Sequence, residues 1–189
     1  MKIGVHPSLA WLASILAVLA SACAVNPSIE SQRAAYDRIV ADPIRSDQDR
    51  KTDAARKPAD FLAFAGVRPG MRVLDVSAGG GYTTQLLALA VGPSGTVYAQ
   101  TPRPGETLTK RLADHPQPNI VLTARAFDDP IPEDAPKLDL VTLVLNYHDI
   151  TYLPVDRAKM NQKLFAALKR GGRFVVVDHS AKAGSDISV

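Results

Sequence analysis

VLDVSAGGGYTTQLLALA, residues 73–90, reads as a buried strand, a glycine turn and a helix, and the fold of the whole chain turns on what that turn can hold. An open turn between strand and helix gathers backbone N–H groups and the positive end of the helix dipole at one point, which suits a nucleotide-like ligand. A dinucleotide fingerprint, G-x-G-x-x-G, fails here. Counted from Gly79 and Gly81, its third glycine falls on Thr84, where close packing of helix on strand needs no side chain. That argues against a nicotinamide dinucleotide. The plain alternative for so short a motif is a tight turn that binds nothing.

Working outward, apolar runs alternate with helical patterns. Strands are expected at 72–76, 96–99, 120–123, 138–145 and 173–178, with helices near 82–91, 106–112 and 155–169. In the last helix Met160, Leu164 and Leu168 repeat at a spacing of four, and Gly171-Gly172 is read as its stop. Runs such as 140–145 and 174–177 suit strands buried on both faces, so the expected class is α/β, a doubly wound, mostly parallel sheet. Ligands of such sheets sit beyond the carboxyl ends of the strands, beside the first one. Before the sheet, 26–53 is polar and charged, with one helix around 31–40 stopped by Asp42-Pro43, and reads as linker and lid. A second helix starts near Lys57-Pro58 and ends at Gly66.

Asp75, at the end of the apolar run, is followed by glycines four and six residues on, giving D-x-S-x-G-G-G. This resembles the first motif of the class I S-adenosylmethionine-dependent methyltransferases, D/E-x-G-x-G-x-G. Ser77 replaces the first glycine: it is strained if the backbone there has positive φ, and comfortable if extended. The resemblance extends to V-R-P-G-M-R-V-L-D at 67–75, to V-G-P-S-G-T-V-Y at 91–98, and to L-K-R-G-G-R-F-V-V at 168–176, which is similar to the family's "L-K-P-G-G". It implies a Rossmann-like sheet, here strands one to five. Because the family sheet has two more strands, the sequence reads as C-terminally incomplete or as leaving strand five an exposed edge.

The resemblance further implies methyl transfer from S-adenosylmethionine to a small-molecule acceptor. Asp75, Ser77, Gly79, Gly80 and Gly81 would hold the cofactor. The acid expected at the end of strand two is replaced by Gln100 or Thr101, which can make only a neutral bond to the ribose, about half as strong as a charge-assisted one. Asp128 would meet the adenine amino group with Phe127 against the ring, or else belongs to a solvated Asp-Asp-Pro turn. Asn146, His148 and Asp149 fall where the family faces the acceptor, and a histidine there can take up a proton. Asp178-His179 is a second pair at the same rim. The spacings of these four His and Asp residues match no zinc signature, so no metal is expected. The alternative is a binding module that keeps the fold without the chemistry.

With 189 residues, 46% apolar and 22% charged, the chain suffices for one globular domain, and a net charge of +3 without basic runs argues against nucleic-acid binding. Lys2, an apolar stretch over 9–20 and the small residues Ser21-Ala22 before Cys23 have the form of an export signal. Cys23, the sole cysteine, falls on the cleavage point and has no internal disulfide partner. The preferred reading is a lipid anchor at Cys23 and an exported protein of the bacterial cell envelope, membrane-tethered or periplasmic; ordinary cleavage is the alternative. The expected organisation is a signal peptide over 1–22, a linker and helical segment over 23–56, and the methyltransferase-like domain over 57–189.

Overall fold

The computed structural model describes residues 29–184; Cys23 and the stretch read as an export signal lie outside them. Three helices come first: α1 (Ile29–Val40), α2 (Asp47–Arg56) and α3 (Pro58–Ala65). The sheet region follows as β1 (Arg72–Val76), α4 (Tyr82–Val91), β2 (Thr96–Thr101), α5 (Glu106–Asp114), β3 (Ile120–Ala124), β4 (Leu138–Val144), α6 (Tyr147–Ile150), α7 (Arg157–Ala167) and β5 (Leu168–Val177). Every strand pairing is parallel, in the order β3-β2-β1-β4-β5, so the chain reverses direction across the sheet between β1 and β4. That is the doubly wound Rossmann-like class expected.

Period-two alternation assigns the core. Val73, Val97, Leu140 and Val175 point to one face, packed with Leu62, Leu87 and Val91 of α3 and α4. Leu74, Val76, Val141 and Leu143 point to the other, against Ile150, Met160 and Leu164. With both faces covered, β1 and β4 carry near-continuous apolar runs.

Two expectations are corrected. The stretch read as linker and lid holds α1 and α2 and packs on the domain: Tyr36 is buried and its hydroxyl donates to the Val67 carbonyl (2.7 Å). Helix α2 begins with a capping box, Ser46 and Asp49 each bonding the other's backbone amide, and ends at Lys57, which Pro58 steers out of the helical region. The second correction concerns Gly171-Gly172. They do not stop a helix. Helix α7 ends at Ala167, and the glycines lie within β5, where pairing jumps from Leu138↔Leu168 to Leu140↔Arg173. Gly171 has φ 77°, and a Cβ on Gly172 would stand 3.0 Å from the Leu138 carbonyl oxygen, so the pair forms a bulge only glycine accommodates.

Candidate functional site

The turn after β1 is built from left-handed backbone. Ser77 (φ 59°), Gly79 (φ 56°) and Gly81 (φ 83°) alternate with ordinary residues and carry the chain from the strand end into α4. Of the two conformations open to Ser77, the strained one is present, at a cost of about 1 kcal/mol. Its N–H donates to Gln100 Oε1 (3.0 Å) and its Oγ to Asn146 Oδ1 (2.6 Å), so the strained residue ties β1 to the ends of β2 and β4. Leu145, the residue after β4, is also left-handed (φ 55°). Strain at two neighbouring strand ends marks this edge of the sheet as a built site. Replacing Ser77 by Gly should relieve the strain and lose the Asn146 bond, effects of opposite sign. A net change within about 1 kcal/mol by urea unfolding is expected, together with a looser Asn146.

The three glycines have different neighbours. A Cβ on Gly81 would stand 2.9 Å from Leu108 Cδ1 and from Arg111 Cδ, and one on Gly80 3.1 Å from Thr107, so α5 lies against that side of the turn. A Cβ on Gly79 would meet nothing nearer than 3.8 Å. Gly79 is thus the glycine with open space before it.

Asp75 does not face that space. It is 1% exposed and accepts from the hydroxyls of Thr84 (2.6 Å) and Thr142 (3.0 Å), fastening α4 and β4 to β1 beneath the turn. Burial pushes its pKa up to about 6, against the partial opposition of the two hydroxyls. In this arrangement Asp75 fastens the turn to α4 and β4. Gln100 is likewise committed: besides accepting from Ser77 it donates to the Arg125 carbonyl (2.6 Å) and is fully buried. Thr101, half-buried, is left at the end of β2, its hydroxyl 3.3 Å from the Arg103 carbonyl. Asp128 pairs with Lys159 of α7 (3.1 Å) and Asp129 with Arg125 and Lys163, while Phe127 packs on the core. An adenine contact by Asp128 would compete with that ion pair.

Past β4 and β5 the polar residues converge. Asn146 Nδ2 donates to Asp149 Oδ2 (2.9 Å), and Asp149 Oδ1 lies 3.3 Å from His148 Nε2. On its other side, His148 Nδ1 is 2.6 Å from Asp178 Oδ1. Asp178 also accepts the N–H groups of His148 (3.1 Å) and His179 (2.8 Å). Burial works to raise the Asp178 pKa, but the two amides and the imidazole outweigh it and hold the carboxyl below its ordinary value. Hydrogen bonds thus run from Ser77, in the glycine turn, through Asn146 to Asp149, and the Asp149–His148 contact continues this polar chain to Asp178.

A cavity of about 500 Å³ opens beside this chain, between α2–α3 and the ends of β4 and β5. Phe61, Pro58, Val144, Leu145 and Val177 make its walls apolar, while Tyr82, Arg56, Asp178 and His179 are polar groups in its lining. Reading the sequence did not find the α2 and α3 contributions. Nor did it find Arg111, whose guanidinium binds Asp49 of α2 in bidentate fashion (2.6 and 2.8 Å) and the Gly80 carbonyl (2.8 Å). The S-x-x-D box at Ser46 was the available signal for α2. The next latch on α2 is Asp53, which accepts from Arg45 (2.6 Å) and from the Tyr82 hydroxyl (2.6 Å).

A search of known structures finds the same architecture in a SAM-dependent methyltransferase from Aquifex aeolicus, with TM-score 0.58 and 20% identity over 81% of this chain and 77% of that one. The chain has the fold of the S-adenosylmethionine-dependent methyltransferases. A SAM-dependent O-methyltransferase from Thermotoga maritima aligns with TM-score 0.51 and 25% identity, over 62% of this chain and 42% of its own. Residues 29–104 match the family model for protein-L-isoaspartate(D-aspartate) O-methyltransferase (PCMT). The ubiquinone/menaquinone biosynthesis C-methyltransferase UbiE of Burkholderia multivorans is 32% identical over 123 residues, covering 63% of this chain and 47% of that protein. The chain therefore spans about half the length of the curated relatives it matches. The methyltransferase fold places the Ser77–Gly81 turn and the Asn146–His148 segment side by side at its switch point.

Proposed function

We propose that this protein is an S-adenosylmethionine-dependent methyltransferase acting on a small, largely apolar acceptor held in the cavity beside β4 and β5. The observation that carries the reading is the bond from Ser77 Oγ to Asn146, which joins the glycine turn to the acceptor side of the sheet. The PCMT family match across that turn and the UbiE relatives support it. The residues fit the cofactor: Gly79 leaves its approach open, and Thr101 offers a neutral hydroxyl toward a ribose. S-adenosylmethionine, when bound, supplies a methyl group already activated by its sulfonium charge.

The protein's part is then orientation and water exclusion. Phe61, Pro58 and Leu145 would wall the acceptor with apolar surface, and Asn146, bonded to the turn and next in sequence to the cavity residue Leu145, would align it. An acceptor O–H or N–H must shed its proton as it is methylated. The cluster of His148, Asp149 and Asp178 at the rim is where that proton is managed.

Calorimetric titration with S-adenosylmethionine and S-adenosylhomocysteine tests the reading. Micromolar binding is expected. Gly79→Asn should weaken it by at least about tenfold, ~1.4 kcal/mol, with little loss of stability, because asparagine tolerates the left-handed backbone while its side chain fills the open approach. A folded chain that binds neither ligand would sink the proposal.

We also propose that the protein is exported and lipid-anchored at Cys23, a reading supported by the apolar stretch over 9–20 ahead of that residue. Metabolic labelling with palmitate in a bacterial host should mark the protein, and Cys23→Ala should abolish the label. Labelling that survives the substitution would refute the anchor.

A further inference from the structure

We propose that His148, Asp178 and His179 form a binding site for a first-row transition-metal dication at the rim of the acceptor cavity. One ligand atom from each of the three side chains lies within 4.8 Å of the others. Spacing along the chain conceals the site, because its ligands come from the ends of two different strands. Parallel pairing of Val144 with Val177, followed by the Leu145 N–H bond to the Val177 carbonyl (2.7 Å), brings the residues after β4 beside those after β5. The two imidazoles meet edge to face, with centroids 5.4 Å apart and planes at 61°.

The surroundings of His148 and Asp178 suit a metal centre. Ligating histidines almost always present their second ring nitrogen to a carboxylate, carbonyl or water that fixes the ring. His148 turns Nδ1 toward Asp178 and Nε2 toward Asp149, and Asp149 is itself fixed by Asn146. Asp178 is aimed by the backbone amides of His148 and His179. To hold both atoms at the ordinary zinc distance of about 2 Å, a cation would displace any proton between His148 Nδ1 and Asp178 Oδ1, 2.6 Å apart here, and spread the two atoms to open the ligand angle.

Two imidazoles and one carboxylate favour zinc, iron, cobalt or a similar ion over magnesium or calcium, which prefer oxygen donors. His148 is 44% exposed, leaving room for further ligands from solvent or substrate. Asp178 and His179 also line the cavity. A cation held by them would therefore bind an acceptor oxygen there and lower its pKa, doing through a metal what a free imidazole would otherwise do as a base. The site stands on its own geometry; its role toward the acceptor rests on the methyl-transfer reading.

The test is titration of the full chain, free of any polyhistidine tag and stripped with chelator, with Co²⁺, followed by its visible absorption and by competition with Zn²⁺. One Co²⁺ per chain, displaced by Zn²⁺, is expected. His179→Ala, at an exposed position, should weaken uptake by more than tenfold, and Asp149→Asn by about tenfold or more through loss of the outer-shell carboxylate. Circular dichroism confirms that each variant is folded. No uptake by the wild-type chain, or uptake unchanged in folded His179→Ala, overturns the site. S-adenosylmethionine binding without Co²⁺ uptake overturns this proposal alone. Specific Co²⁺ uptake without S-adenosylmethionine binding supports the site and overturns the methyl-transfer reading.

Discussion

Arg111→Met is expected to cost the fold about 3 kcal/mol at pH 7, because it removes one partner of a buried ion pair and leaves the other. The side chains of Arg111 and Asp49 are only 15% and 6% exposed. Three acceptors lose their donor at once: the Asp49 carboxylate, the Gly80 carbonyl and Gln85 Oε1. Burial alone would raise the Asp49 pKa, but Arg111 outweighs it and holds the carboxyl below its ordinary value. A lowered folded-state pKa contributes stability above the unfolded value and loses it as pH falls. The penalty of Arg111→Met should therefore be full at neutral pH and smaller by about pH 4, because without Arg111 burial raises the Asp49 pKa and the carboxylate takes up its proton at a higher pH than in the wild type. Urea unfolding at both pH values measures this. Arg111→Met with Asp49→Leu should recover most of the loss, since the uncompensated charge is then gone. A single-variant penalty below about 1 kcal/mol would mean that water screens the pair, as at a surface salt bridge.

That pair also shows what the sequence could not convey. Strand β1 and helix α4 were legible to the residue, because an apolar run, three glycines and an apolar helix punctuate the chain unambiguously. Asp49 and Arg111 stand 62 residues apart on polar helices, and neither position carries any mark of burial. A charged residue reads as solvated until its partner is placed beside it. The 47–56 segment looked like a linker for the same reason: its composition is polar, and its attachment to the domain runs through Arg45, Asp49 and Asp53 rather than through an apolar stripe.

The same limit applies within the candidate site. His148 and Asp178-His179 could be named as separate pairs, but their meeting depends on the β4–β5 register, which the bulge at Gly171-Gly172 helps set. Gln100 and Thr101 could not be distinguished by counting. The pleat decides between them, turning Gln100 inward onto Ser77 and the Arg125 carbonyl and leaving Thr101 at the edge. Asp75 is the converse case. Its place in the motif suggests ligand contact, whereas period-two alternation puts it on the face of β1 that carries Val73, under α4.

Asp75→Asn should therefore stabilise the protein at neutral pH while leaving cofactor affinity within about tenfold of wild type. The folded carboxyl titrates at about 6 against an ordinary value of 3.8, so between those limits the folded state holds a proton that the unfolded chain has released. Stability then falls as pH rises through that window and stays lower above it, by roughly 3 kcal/mol for the two values cited. Asparagine fills the same volume, offers an oxygen to one threonine hydroxyl and an amide to the other, and carries no charge to desolvate. Its advantage over wild type should be near zero at pH 4 and grow to a few kcal/mol by pH 7.5. The carboxyls of Asp49, Asp53, Asp139 and Asp178 lie below the ordinary value, so their contributions are lost at more acid pH and do not mask the window. A difference between variant and wild type that is flat from pH 4 to 7.5 would show that Asp75 titrates alike in both states. Stabilisation with S-adenosylmethionine affinity retained would assign Asp75 to the scaffold of the turn. Stabilisation with affinity lost would mean that its charge reaches the cofactor through the Thr84 hydroxyl and the start of α4, and that stability is given up there for binding.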